Sequence, residues 1–321
     1  MISDFATVGV RSMNLAFAVG VATIPHPAKA HKGGEDAYFV SDYGGGVLGI
    51  ADGVSGWAEQ NVDPALYSRE LMANAEAVVS SEEMDFDAQM LLEKARTATT
   101  SIGAATVIVA LLEKNGSLHG ASVGDCGLRI LRRGRIVFAT QPQQHYFDCP
   151  YQFSSDPGGQ SAADAVVFKT DLEQGDMVVL GSDGLFDNLY DQDIESVLST
   201  IGGPDQDSAQ RGANALAVLA SKHSRDTTYE SPYTKEAIQK GFDVPWYKRI
   251  LGHKLTGGKL DDITVIVAHV VKEKHPSFSD KAIIDPAAPN LQDIGVGISP
   301  FSDSPPKDGV EEPFLEKFSQ G

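Results

Sequence analysis

Glu35 and Asp36 stand at the start of one apolar run, "AYFV" (37–40), and Asp52 stands at the end of the next, "VLGIA" (47–51). The pattern recurs along the chain. Asp125 follows "ASVG", Asp183 follows "VVLGS", and Asp261 and Asp262 open the run "ITVIV". The first two runs, joined by a turn at "DYGGG" (42–46), read as an antiparallel pair, so the start of one strand lies beside the end of the other. Both acidic clusters then share one rim of a sheet. Taken singly, an Asp beside a Gly is ordinary turn chemistry. Taken together, these strand ends predict converging carboxylates, which raise one another's pKa unless a divalent cation neutralises them. Oxygen donors with no His or Cys among them select hard cations such as Mg²⁺ or Mn²⁺. Two such ions can share a hydroxide and direct it in line at a phosphoryl group.

The elements that must position these residues are mostly strands. Strand-like runs also occur at 15–22, 106–113, 118–124, 128–132, 166–170, 176–183 and 263–271, several bounded by Gly turns such as Asn115-Gly116 and Arg133-Gly134 that favour hairpins. Helical spacing appears in pairs. Asp63-Pro64 offers a capping carboxylate and a first-turn proline to "ALYSRELMANAEAVV", and "DAQMLLEKARTATT" follows. "DIESVLSTIG" and "SAQRGANALAVLASKHS" form the second pair. This order predicts an α+β fold, a four-layer α-β-β-α sandwich of two antiparallel β-sheets flanked by helix pairs. Residues 141–165 and 224–259 lack clear periodicity and read as long functional loops. From Pro276 to Pro313 the chain holds seven of its sixteen prolines, which marks 272–321 as a Pro-rich acidic tail beyond a domain at 12–271.

The chain has 321 residues, enough for a large core, and a formal net charge of −18. That charge repels nucleic acid and anionic membranes unless the basic residues cluster. The densest basic group, "RILRRGR" (129–135), reads as a solvated hairpin, so no nucleic-acid partner is expected. The two cysteines, Cys126 and Cys149, lack CxxC spacing, which argues against a disulfide scaffold or a zinc site. The longest apolar run, "GAATVIVALL", is too short to span a bilayer. "MISDFATVGV" lacks the features of a secretory signal.

In order, "GGEDAYF", "GIADGVSG", "GAATVIVA", "SVGDCGLRI", "VVLGSDGLFDN" and "KLDDITVIV" resemble the motif series of the metal-dependent Ser/Thr protein phosphatases, the protein phosphatase 2C class, over roughly residues 12–271. The resemblance implies a β-sandwich, phosphoprotein substrates and two core Mg²⁺ or Mn²⁺ ions, with a third, weaker ion in parts of the family. Position by position, Asp52 matches the carboxylate bridging both ions, the Gly53 carbonyl a ligand of one, and Asp183 and Asp261 the other direct ligands. Glu35 and Asp36 match the acidic pair that holds metal-bound waters or supports the site. Asp125 matches the ligand that joins Asp183 on the third ion. Asp262 stands where many relatives have Asn, which suits a supporting role, and Asp187 reads as capping or hydrogen bonding rather than ligation.

Two positions depart from the family's pattern. Many members carry a phosphate-binding Arg four residues before the Glu; here His31 stands there, with Lys32 adjacent. Lys32 is either a point donor to substrate phosphate or a solvated loop lysine. Many members also follow Asp-Gly with a His that protonates the leaving group. Val54 stands there instead, leaving a water or His31 as the acid.

"IPHPAKAHKGGEDAYF" and "GIADGVSGWAEQNVDPALYSREL" resemble the plant branch of the class that contains the photosystem II core phosphatase. This implies phosphothreonine substrates on thylakoid membrane proteins, action in the chloroplast stroma or at the stromal face of thylakoids with any transit peptide removed, and a monomer. Substrate choice is assigned either to the tail and the 224–259 stretch, or that stretch merely shields the core. Cys126 reads as a small buried residue rather than a redox sensor, and Trp57 and Trp246 as packing residues. Three other readings compete: the same chemistry on a mitochondrial or cytosolic phosphoprotein, a non-catalytic binding protein of the same fold, and a two-metal phosphodiesterase, whose site would need histidines that this pattern lacks.

Overall fold

The computed structural model describes residues 14–81, 87–242 and 254–273. In chain order the elements are β1 (Leu15–Ile24), β2 (Asp36–Ser41), β3 (Gly46–Gly53), α1 (Pro64–Ser80), α2 (Ala88–Ala98), β4 (Ala104–Leu112), β5 (Ser117–Val123), β6 (Gly127–Arg132) and β7 (Arg135–Ala139). Short strands β8 (Gln144–Tyr146), β9 (Cys149–Pro150) and β10 (Phe153–Ser154) precede β11 (Val166–Asp171) and β12 (Met177–Gly181). Then come α3 (Asp183–Phe186), α4 (Asp191–Ser199), α5 (Gln206–Ser224), α6 (Pro232–Gln239) and β13 (Ile263–Lys272).

Apart from the two-stranded β8-β9 sheet, the strands form two antiparallel sheets. One runs β1-β13-β12-β6-β7, and the other β11-β5-β4-β3-β2 with β10 beside β4. Strand alternation builds the layers from there. On β4, Ile108 and Ala110 point between the sheets, where they meet Leu48, Ile50, Leu128, Val178, Leu180 and Ile266. Val107, Val109 and Leu111 point the other way, onto Leu71, Met72, Leu91 and Leu92 of α1 and α2. Val265 and Val267 of β13 likewise face Ala213, Leu216 and Ala217 of α5. Buried on both faces, β4 reads as an unbroken apolar run. The fold is the expected four-layer α-β-β-α sandwich.

The capping signals act as written: the Asp63 carboxylate accepts from the Ala65 N–H ahead of Pro64. Two sequence expectations need correction. The 224–259 stretch contains α6, whose Ser231 hydroxyl accepts from the Thr234 N–H with Pro232 in the first turn. The 141–165 stretch contains the β8–β9 hairpin, and β10 extends a sheet through Phe153 opposite Ala105. Both segments take their order from tertiary contacts, Phe147 packing with Tyr233, Ala237 and Leu255, and so carry little periodicity of their own. Trp246 and the tail beyond Glu273 lie outside the described residues.

The "RILRRGR" group is the β6–β7 hairpin, turning through Arg133 and Gly134 at φ 52° and 75°. Three of its four arginines are already paired. Arg129 meets Asp191, Arg132 meets Asp176 and Glu173, and Arg135 meets Glu195. Among the described residues no helix is long and apolar enough to cross a membrane.

Candidate active site

Pairing register sets the rim. In the β2–β3 ladder Asp36 lies directly opposite Asp52, which in turn pairs with Thr106 of β4. The other sheet delivers Asp183 just past β12 and Asp261-Asp262 just before β13. Asp125 sits in the connection from β5 to β6, which crosses from one sheet to the other. Ser182 ties the two sheets together: its hydroxyl donates to Asp36 Oδ2 at 2.8 Å and accepts from the Thr264 N–H. Gly184 lets the β12 and β13 ends of that second sheet approach each other, since a Cβ there would lie 2.1 Å from the Asp262 carbonyl oxygen.

The carboxylates crowd one another. Burial, then Asp36, Asp183 and Asp261, push Asp52 well above the usual carboxylate range. Burial and Asp262 raise Asp36 to about 8, against the hydrogen bond from Ser182. Burial and Asp183 raise Asp125 and Asp261 to about 7 each. Asp183 is the exception: burial pushes it up, but the Lys259 charge and hydrogen bond outweigh that and hold it low.

Two lysines stand among these acids. Lys29 Nζ lies 2.7 Å from Glu35 Oε2, 2.8 Å from Ser55 Oγ and 3.5 Å from Asp262 Oδ2. Burial works against its charge, but Asp261 and then Glu35 and Asp262 outweigh it and raise its pKa. Lys259 Nζ lies 2.6 Å from Asp183 Oδ2, 2.9 Å from Asp187, 3.6 Å from Asp148 and 3.7 Å from Asp261. Asp262 is taken up by the scaffold, accepting from the N–H groups of His26 and Glu35 at 2.7 and 2.9 Å.

No family model matches the chain. Comparison with individual proteins is decisive. The chain is 56% identical over 257 residues to probable protein phosphatase 2C 26 of Arabidopsis thaliana, covering 80% of this chain and 85% of that protein. It is 55% identical over 268 residues to probable protein phosphatase 2C 1 of Oryza sativa subsp. japonica, covering 84% and 80%. The chain belongs to the protein phosphatase 2C family. It is a protein serine/threonine phosphatase. The X-ray structure of the photosystem II phosphatase PBCP is 56% identical, with a TM-score of 0.75, covering 79% of this chain and 98% of that one. The catalytic domain of the phosphatase PstP shares the fold at 16% identity, with a TM-score of 0.55 and 80% of this chain covered.

Glu35, Asp36, Asp52, Gly53, Asp125, Asp183 and Asp261 of this phosphatase all lie at or beside the rim. His31 and Lys32 are placed differently. Both are exposed at the end of a 3₁₀ turn, Pro27–Lys32, and Lys32 Nζ approaches Asp63 at 3.9 Å. The lysine of this turn that reaches the carboxylates is Lys29. Asp187, read as a hydrogen-bonding residue, pairs with Lys259 and is pushed well up by burial. Cys126 is buried with its Sγ 3.2 Å from Thr106 Oγ1, and burial pushes the thiol up, which makes it a packing residue and not a reactive thiolate.

Lys29, Lys259, Asp148 and Asn188 were not singled out from the sequence. Asn188 fixes Lys259 through both backbone groups, its Oδ1 accepting from the Lys259 N–H at 3.0 Å and its Nδ2 donating to the Lys259 carbonyl at 2.8 Å. The available signal was Lys259 inside "KLDDITVIV" itself, a base one residue from a run of acids.

Among the described residues no three His, Cys, Asp or Glu side chains are gathered tightly enough to hold a metal as they stand. The chemistry of the site nevertheless fits hard divalent cations. Its donors are all oxygen, and Asp36 Oδ1 and Asp183 Oδ1 are buried with no hydrogen-bond partner.

Proposed function

We propose that this phosphatase uses divalent Mg²⁺ or Mn²⁺ held at the rim to hydrolyse phosphoserine and phosphothreonine, and that its substrates include photosystem II core phosphoproteins. The observation that carries the reading is the meeting of Asp36, Asp52, Asp183 and Asp261 from both sheets, with two buried carboxylate oxygens left without donors. Asp52, the Gly53 carbonyl, Asp183 and Asp261 would hold two core ions, Asp125 would join Asp183 on a third, and Glu35 and Asp36 would orient waters. When bound, the ions supply positive charge to the phosphoryl oxygens and acidify the attacking water. PstP, of the same fold, has been crystallised with two manganese ions.

The chain's own residues shape the site around that chemistry. Ser55 donates to Glu35 Oε2 at 2.7 Å, and Ser68 donates to the Glu35 carbonyl, so Glu35 is held at both ends. Lys29, one-fifth exposed, is the cation at the rim positioned to meet an incoming phosphate. The substrate and a chloroplast location rest on 56% identity to a protein described as the photosystem II phosphatase. We take 12–271 as the catalytic domain, acting as a monomer.

Incubating the full chain with isolated phosphorylated thylakoids and Mn²⁺ or Mg²⁺, read subunit by subunit, tests the proposal. Loss of phosphate from core subunits, blocked by EDTA, is expected. Activity on a generic phosphoester without activity on core subunits would sink the substrate. Activity on neither would leave a binding protein.

A further inference from the structure

Lys259 is an unusual resident of a site meant for divalent cations. Its Nζ lies within 4 Å of Asp148, Asp183, Asp187 and Asp261, and 5.2 Å from the centre of the Tyr233 ring. It is held in advance. Asn188, fully buried, clamps its backbone N–H and carbonyl, so only the four-carbon side chain is free to move. Asp183 is divided by it: Oδ2 receives the ammonium at 2.6 Å, while Oδ1 is buried without any donor. A cavity of about 200 Å³, lined by Asp125, Asp148, Asp187, Tyr233 and Lys259 itself, opens beside the side chain.

We propose that Lys259 is a built-in counter-cation of this centre: its ammonium holds the Asp148, Asp183 and Asp187 side of the rim, and a divalent cation gains Asp183 fully only by displacing it into the adjoining cavity. The inference rests on the metal-centre reading given above. The physics is direct competition. A monovalent ammonium inside a cluster of acids repels a second cation, and it also supplies the charge without which those acids repel one another. The protein thus folds with one side of the rim partly neutralised, at the cost of weaker divalent binding on that side.

The test is a Mn²⁺ titration of the full chain by isothermal calorimetry, paired with thermal unfolding in EDTA, for the unaltered protein, Lys259→Met, Lys259→Gln and Lys259→Arg. Gln keeps a donor for the buried carboxylates and safeguards folding if Met fails. Both neutral variants should bind Mn²⁺ about tenfold more tightly or better at one site. Both should also unfold at lower temperature in EDTA, with the deficit closing as Mn²⁺ is added. Lys259→Arg, which keeps the charge, should bind no more tightly than the unaltered chain. Equal or weaker Mn²⁺ binding by the neutral variants would overturn the inference while leaving the metal centre standing. Absence of any Mn²⁺ binding by the unaltered chain would overturn the metal centre, and this inference with it.

Discussion

Asp36 and Asp52 face each other across the β2–β3 ladder, and Asp36 reaches the second sheet through Ser182. The pairing is antiparallel, so it forces two like charges to one rim whatever the side chains prefer. Fold energy elsewhere, chiefly the apolar layers on both sides of β4, sustains that repulsion. The site is therefore built against local electrostatics, as binding centres for cations must be.

The pH dependence of the metal-free protein follows. Folding raises Asp36 to about 8 and Asp125 and Asp261 to about 7. Between pH 4 and 8 the folded state therefore holds protons that the unfolded chain has released, and stability falls as pH rises through that window. Asp183, held low by Lys259, contributes with the opposite sign at acid pH. Thermal unfolding in EDTA should show a higher midpoint near pH 5 than near pH 8. A midpoint that climbs over this range would mean the acids are not crowded.

Substituting the rim acids separates two roles. Asp52→Asn removes a charge raised by three neighbouring carboxylates, so the variant should lose turnover yet unfold at a higher temperature in EDTA. Asp183→Asn also loses turnover, but it breaks the 2.6 Å pair with Lys259 and should gain no such stability. Activity on p-nitrophenyl phosphate with Mn²⁺, alongside the EDTA melts, checks both. Residual turnover in Asp52→Asn would remove it from the centre.

Gly184 tests how the β12 end that carries Asp183 is held against the segment that carries Asp261 and Asp262. A Cβ placed there lies 2.1 Å from the Asp262 carbonyl oxygen, a backbone atom that cannot swing away. Gly184→Ala should cost about 1–3 kcal/mol in urea unfolding and lower activity by shifting Asp183 and Asp261. Gly56→Ala, where a Cβ meets nothing within 4 Å, serves as its control and should be near neutral in stability.

The legible parts of this protein are those fixed by short-range periodicity. Two short apolar runs, 37–40 and 47–51, with one Gly-rich turn between, leave Asp36 little choice but to lie beside Asp52. The same logic reached the rest of the rim acids and the helix pairs. What stayed hidden depends on closure between distant segments. Lys259 finds Asp183, and Asp148 finds Tyr233, across 76 and 85 positions of chain, which no local pattern records. Helix α6 was hidden differently. Its eight residues are too few to show a period, although Ser231-Pro232 carried a usable cap signal.

Lys29 and Lys32 sit on the same 3₁₀ turn three residues apart, and the fold gives them different tasks. Lys32 extends to Asp63, the half-buried cap of α1, at 3.9 Å. Lys29 turns inward, donating to Ser55 Oγ and Glu35 Oε2 and lying 3.9 Å from Asp261 Oδ1. A phosphate arriving at the rim carries two negative charges into a field of carboxylates, so a fixed ammonium there contributes one charge-assisted contact of roughly 1.5–3 kcal/mol. Lys29→Ala should lower kcat/KM by about ten- to a hundredfold and weaken inhibition by inorganic phosphate. Lys32→Ala and His31→Ala should stay within about threefold of the unaltered enzyme, because surface pairs of this kind contribute little. Steady-state kinetics and phosphate inhibition for the three variants decide the matter. A larger loss in Lys32→Ala than in Lys29→Ala would return the phosphate contact to the position read first from the sequence.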